Sequence, residues 1–279
     1  MSLAFVIAGA VAFFLAAAML AQVAAGPVSR ARVERFARRQ RLTVTPGNGE
    51  HVIRYLATVR RWRVAGLLGG IGVSILRHLP DELRFEAVTI FAGWFLGALV
   101  AEVRVVHLAH GPRRAAALRP RRPSAYIGRT AWALVPATAT VSVLVAVATG
   151  WAAAAGHAQP DWTAVSWLVV SLAVAGAVRA IQWHVLRRPQ PLAEPDVIAA
   201  DDAIRSRALH VLSGGGLALV FFCISVQTVA AHPLDSAVAK VIGVISTLAV
   251  FAAAALGWLV ATAPWQRPAA VPATAGSAT

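Results

Sequence analysis

The chain has 279 residues, of which 58% are hydrophobic and 14% are charged, and its formal charge at pH 7 is +14. Soluble domains carry about 25% charged residues, so this composition excludes an ordinary soluble fold and leaves little chain for a separate soluble domain. The one cysteine, Cys223, lies in an apolar run, which excludes an intrachain disulfide and a cysteine-based metal site. Composition therefore predicts a single helical membrane domain, and the abundance of Ala and Arg is typical of a GC-rich bacterial genome.

Seven apolar stretches follow one another along the chain. At about 20 residues per helical span, they predict an all-α, polytopic membrane bundle of about seven transmembrane helices in one domain, residues 1–263. The second stretch is short, so it is either a short span or half of a re-entrant hairpin with the third. Residues 264–279 are rich in Pro, Ala, Ser and Thr and predict a disordered cytoplasmic tail. The spans are expected near residues 3–25, 64–78, 86–103, 130–154, 163–183, 208–231 and 237–263.

The basic residues predict the orientation. No Lys or Arg precedes the first apolar stretch and an arginine cluster follows it, whereas a cleavable signal peptide has the opposite flanks. With seven spans, 23 of the 26 basic residues fall on one side, and the exceptions are Arg77, Arg84 and Lys240. The positive-inside rule therefore predicts a plasma-membrane protein with its N-terminus outside and its C-terminus in the cytoplasm. Because topology explains the basic charge, we expect no nucleic-acid binding.

Tryptophan positions also suggest where the spans end, because the amphipathic indole ring favours the membrane interface. Trp62, Trp132, Trp183 and Trp265 are expected at the cytoplasmic ends of spans. Trp94 lies deeper in the third stretch, where packing between helices is the expected role.

After the first span, the chain reads as three hairpins whose outer loops share a pattern of His, Pro and Asp. One interpretation is structural, with His at the end of one helix and Asp capping the start of the next. The alternative is a divalent metal site, such as zinc, on one outer rim. No two of the histidines share a local spacing that would enforce metal geometry, which favours capping. The weak self-similarity also suggests an internal three-hairpin repeat. The residues are His78, Asp81, His157, Asp161, His232 and Asp235.

Two further sets of charged residues flank the spans. Glu102 and Arg179 lie at the cytoplasmic ends of two spans, and we expect an ion pair between them rather than a proton relay. Asp201 and Asp202 resemble part of a magnesium-binding DDxxD motif but lack its second acidic half. Their spacing to Arg205 instead predicts surface ion pairs on a helix.

Small residues predict close contacts between helices. Gly66 and Gly70, and again Gly93 and Gly97, have the GxxxG spacing that lets helix backbones approach. The glycine run at residues 214–216 is explained either by close packing or by a kink near a ligand. Hydrogen bonds across helices are expected from Ser225, Gln227 and Thr228.

Segment 30–42, RARVERFARRQRL, combines six arginines with Val33, Phe36 and Leu42. This pattern predicts an amphipathic helix that lies on the inner leaflet, with its apolar side chains inserted and its arginines on anionic lipids. A docking surface for a cytoplasmic protein partner has the same composition.

No phosphate-binding loop, HExxH, GxSxG or Cys/His constellation occurs in the sequence, so we predict no catalytic, cofactor-binding or metal-binding residues. The leading hypothesis is a non-enzymatic accessory or permease-like subunit. The alternative is a transporter or channel for a small or apolar solute. The third is a membrane enzyme or metal-binding protein that uses the outer His/Asp loops or Asp201 and Asp202.

Overall fold

A computed structural model describes residues 18, 20–22, 24–78, 86–105, 114–115, 122–156, 162–191, 194–230 and 237–265. The predicted first span lies largely outside these residues, as does the predicted tail beyond Trp265. Extended structure in the described ranges is limited to two-residue strands, β1 (Arg114–Ala115) and β2 (Gln190–Pro191), which pair antiparallel. The helices are α1 (Arg30–Gln40), α2 (Pro46–His78), α3 (Ala87–Val105), α4 (Arg129–Ala154), α5 (Trp162–Arg187), α6 (Pro195–Ala230) and α7 (Ala237–Thr262).

Five of these helices, α3 to α7, are long and apolar enough to cross a membrane. The prediction of an all-α membrane helix bundle is thereby confirmed. Helix α2 is not among the five, because its apolar stretch after Arg63 is shorter than the roughly 20 residues of a full span. It nevertheless packs lengthwise against α3.

Helices α2 and α6 are much longer than the predicted spans 64–78 and 208–231. They contain 33 and 36 residues, so at 1.5 Å per residue each is about 50 Å long, against about 30 Å for a hydrocarbon core. The extra turns are at their N-terminal ends, on the side of the bundle where most arginines lie. We call this part the Arg-rich end: α1, residues 46–63 of α2, residues 195–207 of α6, the 3₁₀ turn Pro123–Ala125 and Trp265.

Helix α6 lies at the centre and packs against α2, α3, α4, α5 and α7. Its three consecutive glycines face different neighbours, because successive residues point about 100° apart around a helix. A Cβ on Gly214 would overlap the backbone of Gly257 in α7, and one on Gly215 would overlap the ring of Phe95 in α3. A Cβ on Gly216 would lie 3.1 Å from valine side chains of α4 and α5. Close packing, not a kink, therefore explains the run, and α6 is one continuous helix.

The glycine pattern of α2 and α3 joins these two helices. A Cβ on Gly66 would overlap the backbone oxygen of Gly93, and a Cβ on Gly93 would overlap that of Gly66. Gly70 approaches the backbone oxygen of Thr89 in the same way, at 2.7 Å from its Cβ position, and Gly97 approaches Trp62. The predicted GxxxG contact is confirmed, and it is antiparallel.

Polar side chains join helices in the half of the bundle opposite the Arg-rich end, and these contacts across helices were predicted. Gln227 Nε2 in α6 donates a hydrogen bond to Ser142 Oγ in α4 at 2.7 Å. The hydroxyl groups of Thr228 and Ser246 lie 3.1 Å apart between α6 and α7. In an apolar environment such bonds replace contacts with water that the side chains have lost.

Pairs α2/α3, α4/α5 and α6/α7 pack as successive hairpins, while an internal repeat remains a prediction. The outer His/Asp pattern lies outside the described residues, except for the backbone of His78. Helix α5 begins at Trp162 and α7 at Ala237. Capping and metal binding by these loops therefore both remain predictions.

Candidate functional site

Helix α1 docks on the bundle through its apolar face. The Phe36 side chain is buried, with its ring centroid 6.2 Å from that of Tyr55, and the guanidinium carbon of Arg207 lies 5.6 Å from the Phe36 centroid. Leu42 is buried as well. The expectation that Phe36 and Leu42 insert into the leaflet was therefore wrong, because the protein itself covers them. The arginines of α1 remain exposed.

A buried charge cluster holds α6 to the end of α5. Asp201 Oδ1 accepts a hydrogen bond from Arg188 at 2.5 Å, and Asp201 Oδ2 accepts one from Arg205 Nε at 2.8 Å. Arg205 also donates to the Val185 carbonyl at 2.7 Å. The predicted pair of Asp201 with Arg205 exists, but it is buried and not on the surface. With both oxygens bound to guanidinium groups, Asp201 offers no position to magnesium.

Asp202 takes part in a second contact, which fixes the chain after α7. Its Oδ1 accepts a hydrogen bond from the Tyr126 hydroxyl at 3.0 Å, and the Tyr126 ring stacks on Trp265 with centroids 6.4 Å apart. Trp265 Nε1 donates to the Ala125 carbonyl at 3.1 Å. Trp265 is therefore buried and is not the interfacial residue that the sequence suggested.

Glu102 does not pair with Arg179, contrary to expectation, because the two side chains face different helices. Glu102 is buried and accepts a hydrogen bond from the Tyr55 hydroxyl of α2 at 3.1 Å. Arg179 lies 3.8 Å from the ring centroid of Trp132 in α4 and donates to Gln182. Burial, together with the Glu102 carboxylate, raises the pKa of Tyr55 well above its usual range. Tyr55 therefore remains a hydrogen-bond donor to Glu102 at physiological pH.

A cleft of about 220 Å³ lies on the side of the bundle between α3 and α7, and α6 forms its floor. We call it the lateral cleft. Its floor is made of small residues of α6, and its walls are aromatic and aliphatic side chains of α3 and α7. Arginines from three helices lie at its Arg-rich end, and no acidic residue lines the cleft in the described part of the chain. The lining comprises Arg39, Arg63, Phe91, Trp94, Arg207, Val211, Gly214, Gly215, Ala218, Ala254, Gly257, Trp258, Ala261 and Thr262.

Two of the cleft arginines have buried nitrogen atoms with no hydrogen-bond partner among the described residues. They are Nε and Nη2 of Arg63 and Nε of Arg207. Arg63 lies over the Trp94 ring, 4.9 Å from its centroid, which leaves these polar hydrogens unbound. A buried donor without an acceptor costs about 1–3 kcal/mol, and more when it is charged.

The charges around these nitrogens are also unbalanced. Arg63 and Arg207 lie close enough to repel each other, and Glu102 is near both but hydrogen-bonds only Tyr55. One Glu102 oxygen, Oε2, is itself buried without a partner, so the carboxylate is not directed at either guanidinium group. The cleft therefore has an excess of positive charge at this end, which favours an anion there.

The chain matches no protein-family model, and no curated protein or solved structure is significantly similar to it.

Sequence reasoning missed this site because it assigned Arg63 and Arg207 to topology. Their positions could have indicated the site, because Arg63 and Arg207 directly precede the predicted spans 64–78 and 208–231. An arginine that begins an apolar stretch either extends to water or needs an anionic partner. Here α1 places Phe36 against Arg207 and Arg39 at the cleft. These contacts between distant segments favour an anionic partner over extension to water, and the sequence alone does not show them.

Proposed function

We propose that this protein is a non-enzymatic, multi-pass protein of a bacterial plasma membrane, an accessory or permease-like subunit that binds an anionic group in the lateral cleft. The observation that carries the proposal is the set of buried guanidinium nitrogens of Arg63 and Arg207, which have no hydrogen-bond partner among the described residues, in a cleft that none of the described acidic residues lines. The N-terminus lies outside and the Arg-rich end lies in the cytoplasm. In this orientation, α1 would offer its exposed arginines to anionic lipid headgroups and to a cytoplasmic protein partner.

Binding is favoured over catalysis because Glu102, Asp201 and Asp202, which are buried or half-buried, already have structural partners. Asp201 binds two arginines, and Asp202 and Glu102 each accept a tyrosine hydroxyl. A general acid or base needs a carboxyl group that can reach a substrate. Among the described residues, no group of three His, Cys, Asp or Glu side chains is placed to hold a metal ion.

Binding is also favoured over conduction through the bundle. The floor of the cleft is α6, whose glycines pack directly on α3, α4, α5 and α7. A solute path would need a polar cavity that continues past this contact. The cleft instead lies on the side of the bundle, above α6.

The proposed orientation is tested by cysteine accessibility. With Cys223 replaced, a membrane-impermeant thiol reagent should label Ala158→Cys in intact cells and Ser124→Cys only after permeabilisation. The prediction follows from the 23-to-3 division of basic residues between the two sides. Labelling in the reverse order would exclude this orientation.

The anion site is tested by thermal unfolding of the purified protein in detergent. Sodium phosphate and butyl phosphate, compared with chloride at equal ionic strength, should raise the unfolding temperature. An anion at about 100 times its dissociation constant adds about 2.7 kcal/mol to the free energy of unfolding. The Arg63→Gln/Arg207→Gln variant should lose this response.

The matched control is Arg35→Gln/Arg61→Gln, which removes the same charge from exposed positions on α1 and α2. This variant should respond as the wild type does. An equal response in the cleft variant, or none in the wild type, would contradict the proposed anion site.

A further inference from the structure

We propose that the occupant of the lateral cleft is a membrane phospholipid of the phosphatidic acid type, whose phosphate headgroup carries no cation of its own. Its phosphate would lie among the cleft arginines and one acyl chain would lie along α6. This inference rests on the proposed anion site and names the class of its ligand.

The headgroup assignment follows from the number and the type of cations. Arg39, Arg63 and Arg207 come from three different helices and meet at one end of the cleft, with Glu102 as the nearby counter-charge. A carboxylate ligand would supply one negative charge, whereas a phosphate monoester supplies about −1.5 to −2 at pH 7. The planar guanidinium group also matches phosphate oxygens in a bidentate manner. Zwitterionic phospholipids fit less well because they carry their own cation.

The acyl chain assignment follows from the length of the apolar floor. From Arg207 to Ala218 the cleft follows α6 for about 16 Å at 1.5 Å per residue. Half of a hydrocarbon core of about 30 Å is one leaflet, so the floor reaches from the headgroup level to the middle of the bilayer. Val211 and Ala218 line this path with apolar atoms, and the aromatic rings of Phe91 and Trp94 form one side.

The size and exposure of the cleft indicate how such a ligand would enter. A volume of about 220 Å³ is below the roughly 300–1,000 Å³ of pockets that enclose a small molecule. The headgroup and part of one chain would therefore be held, and the rest would stay in the bilayer. Trp258 on the opposite wall is 69% exposed, so the cleft opens on the surface that faces lipid. A phospholipid could enter laterally without leaving the membrane.

The proposal is tested by native mass spectrometry of the full-length protein, with titration of dioleoyl phosphatidic acid and, separately, dioleoyl phosphatidylcholine. Phosphatidic acid should bind at least about tenfold more tightly, the equivalent of about 1.4 kcal/mol. The Arg63→Gln/Arg207→Gln variant should lose this preference, and the Arg35→Gln/Arg61→Gln control should keep it. Neither Arg63 nor Arg207 makes an ion pair with a described acidic residue, and three of their nitrogens have no hydrogen-bond partner there, so the variant is expected to fold.

A second variant tests the acyl chain separately and leaves every arginine in place. Ala218→Leu fills the floor of the cleft, whereas Ala255→Leu adds the same atoms at an exposed position on α7 outside it. Ala218→Leu should weaken phosphatidic acid binding about tenfold, for the loss of a few buried methylene contacts. Its response to inorganic phosphate should be unchanged, and Ala255→Leu should bind both as the wild type does.

The outcomes separate the two proposals. Phosphatidic acid that binds no better than butyl phosphate, or an Ala218→Leu variant with unchanged lipid binding, would overturn the lipid assignment and leave the anion site in place. If the Arg63→Gln/Arg207→Gln variant binds phosphatidic acid as the wild type does, and soluble phosphate also stabilises it as it stabilises the wild type, both proposals fail.

Discussion

Replacement of Asp201 by alanine is expected to lower the free energy of unfolding by about 3–5 kcal/mol, the usual cost of removing one partner from a buried ion pair. The Asp201 carboxylate binds Arg188 at 2.5 Å and Arg205 at 2.8 Å, and all three side chains are at most 1% exposed. The variant takes the Asp201 carboxylate away from two guanidinium groups in the protein interior. Equilibrium unfolding in mixed micelles, followed by circular dichroism, measures the loss.

Asp202 provides the matched control because it is the adjacent carboxylate on the same helix. Asp202→Ala removes the hydrogen bond from the Tyr126 hydroxyl and should cost about 1.5–3 kcal/mol, the range for a hydrogen bond to a charged group. The triple variant Arg188→Met/Asp201→Leu/Arg205→Met removes every charge of the cluster and should recover much of the lost stability. If Asp201→Ala were no less stable than Asp202→Ala, apolar packing alone would hold α5 to α6 at the Arg-rich end.

The apolar helices were predictable because a membrane span is a local property of the sequence. The predicted spans 86–103, 130–154, 163–183 and 237–263 agree with α3, α4, α5 and α7 to within a few residues. The predicted spans 64–78 and 208–231 leave out the first turns of α2 and α6, because those turns are polar and have no hydropathy signal. For α6, the spacing of Asp201 and Arg205 did predict a helix that leads into the sixth span. Contacts between distant segments stabilise those turns, such as those of Tyr55 with Phe36 and of Asp201 with Arg188.

The partners of charged residues were less predictable than the helices. Asp201 and Arg205 are four residues apart, and that local spacing gave the correct pair. The second partner, Arg188, lies thirteen residues before Asp201. Its contact with Asp201, and the burial of the whole cluster, depend on how α5 packs on α6, which local spacing does not indicate. Glu102 was assigned the wrong partner because the direction in which α3 faces is fixed by its packing on α2. The cleft needs four helices and α1 together, so no single stretch of sequence indicates it.

Gly66→Ala is expected to destabilise the protein by about 1–3 kcal/mol, the usual cost of an overpacked contact. A Cβ at this position would overlap the backbone oxygen of Gly93 on α3. Neither backbone can move without separating the two helices, because Gly70 and Gly97 make equally close contacts on either side. The free energy of unfolding in mixed micelles again provides the measurement.

Gly69→Ala is the matched control, since Gly69 lies on the same helix and a Cβ there has no neighbour within 4 Å. Alanine is favoured over glycine in a helix interior by about 0.8–1.0 kcal/mol, so Gly69→Ala should be neutral or slightly stabilising. The two variants make the same chemical change three residues apart, and only Gly66→Ala should destabilise the protein. Equal effects at the two positions would mean that α2 and α3 do not touch through the Gly66 face. In that case the cleft could not be formed as described, because Arg63 on α2 and Trp94 on α3 would no longer be held against each other.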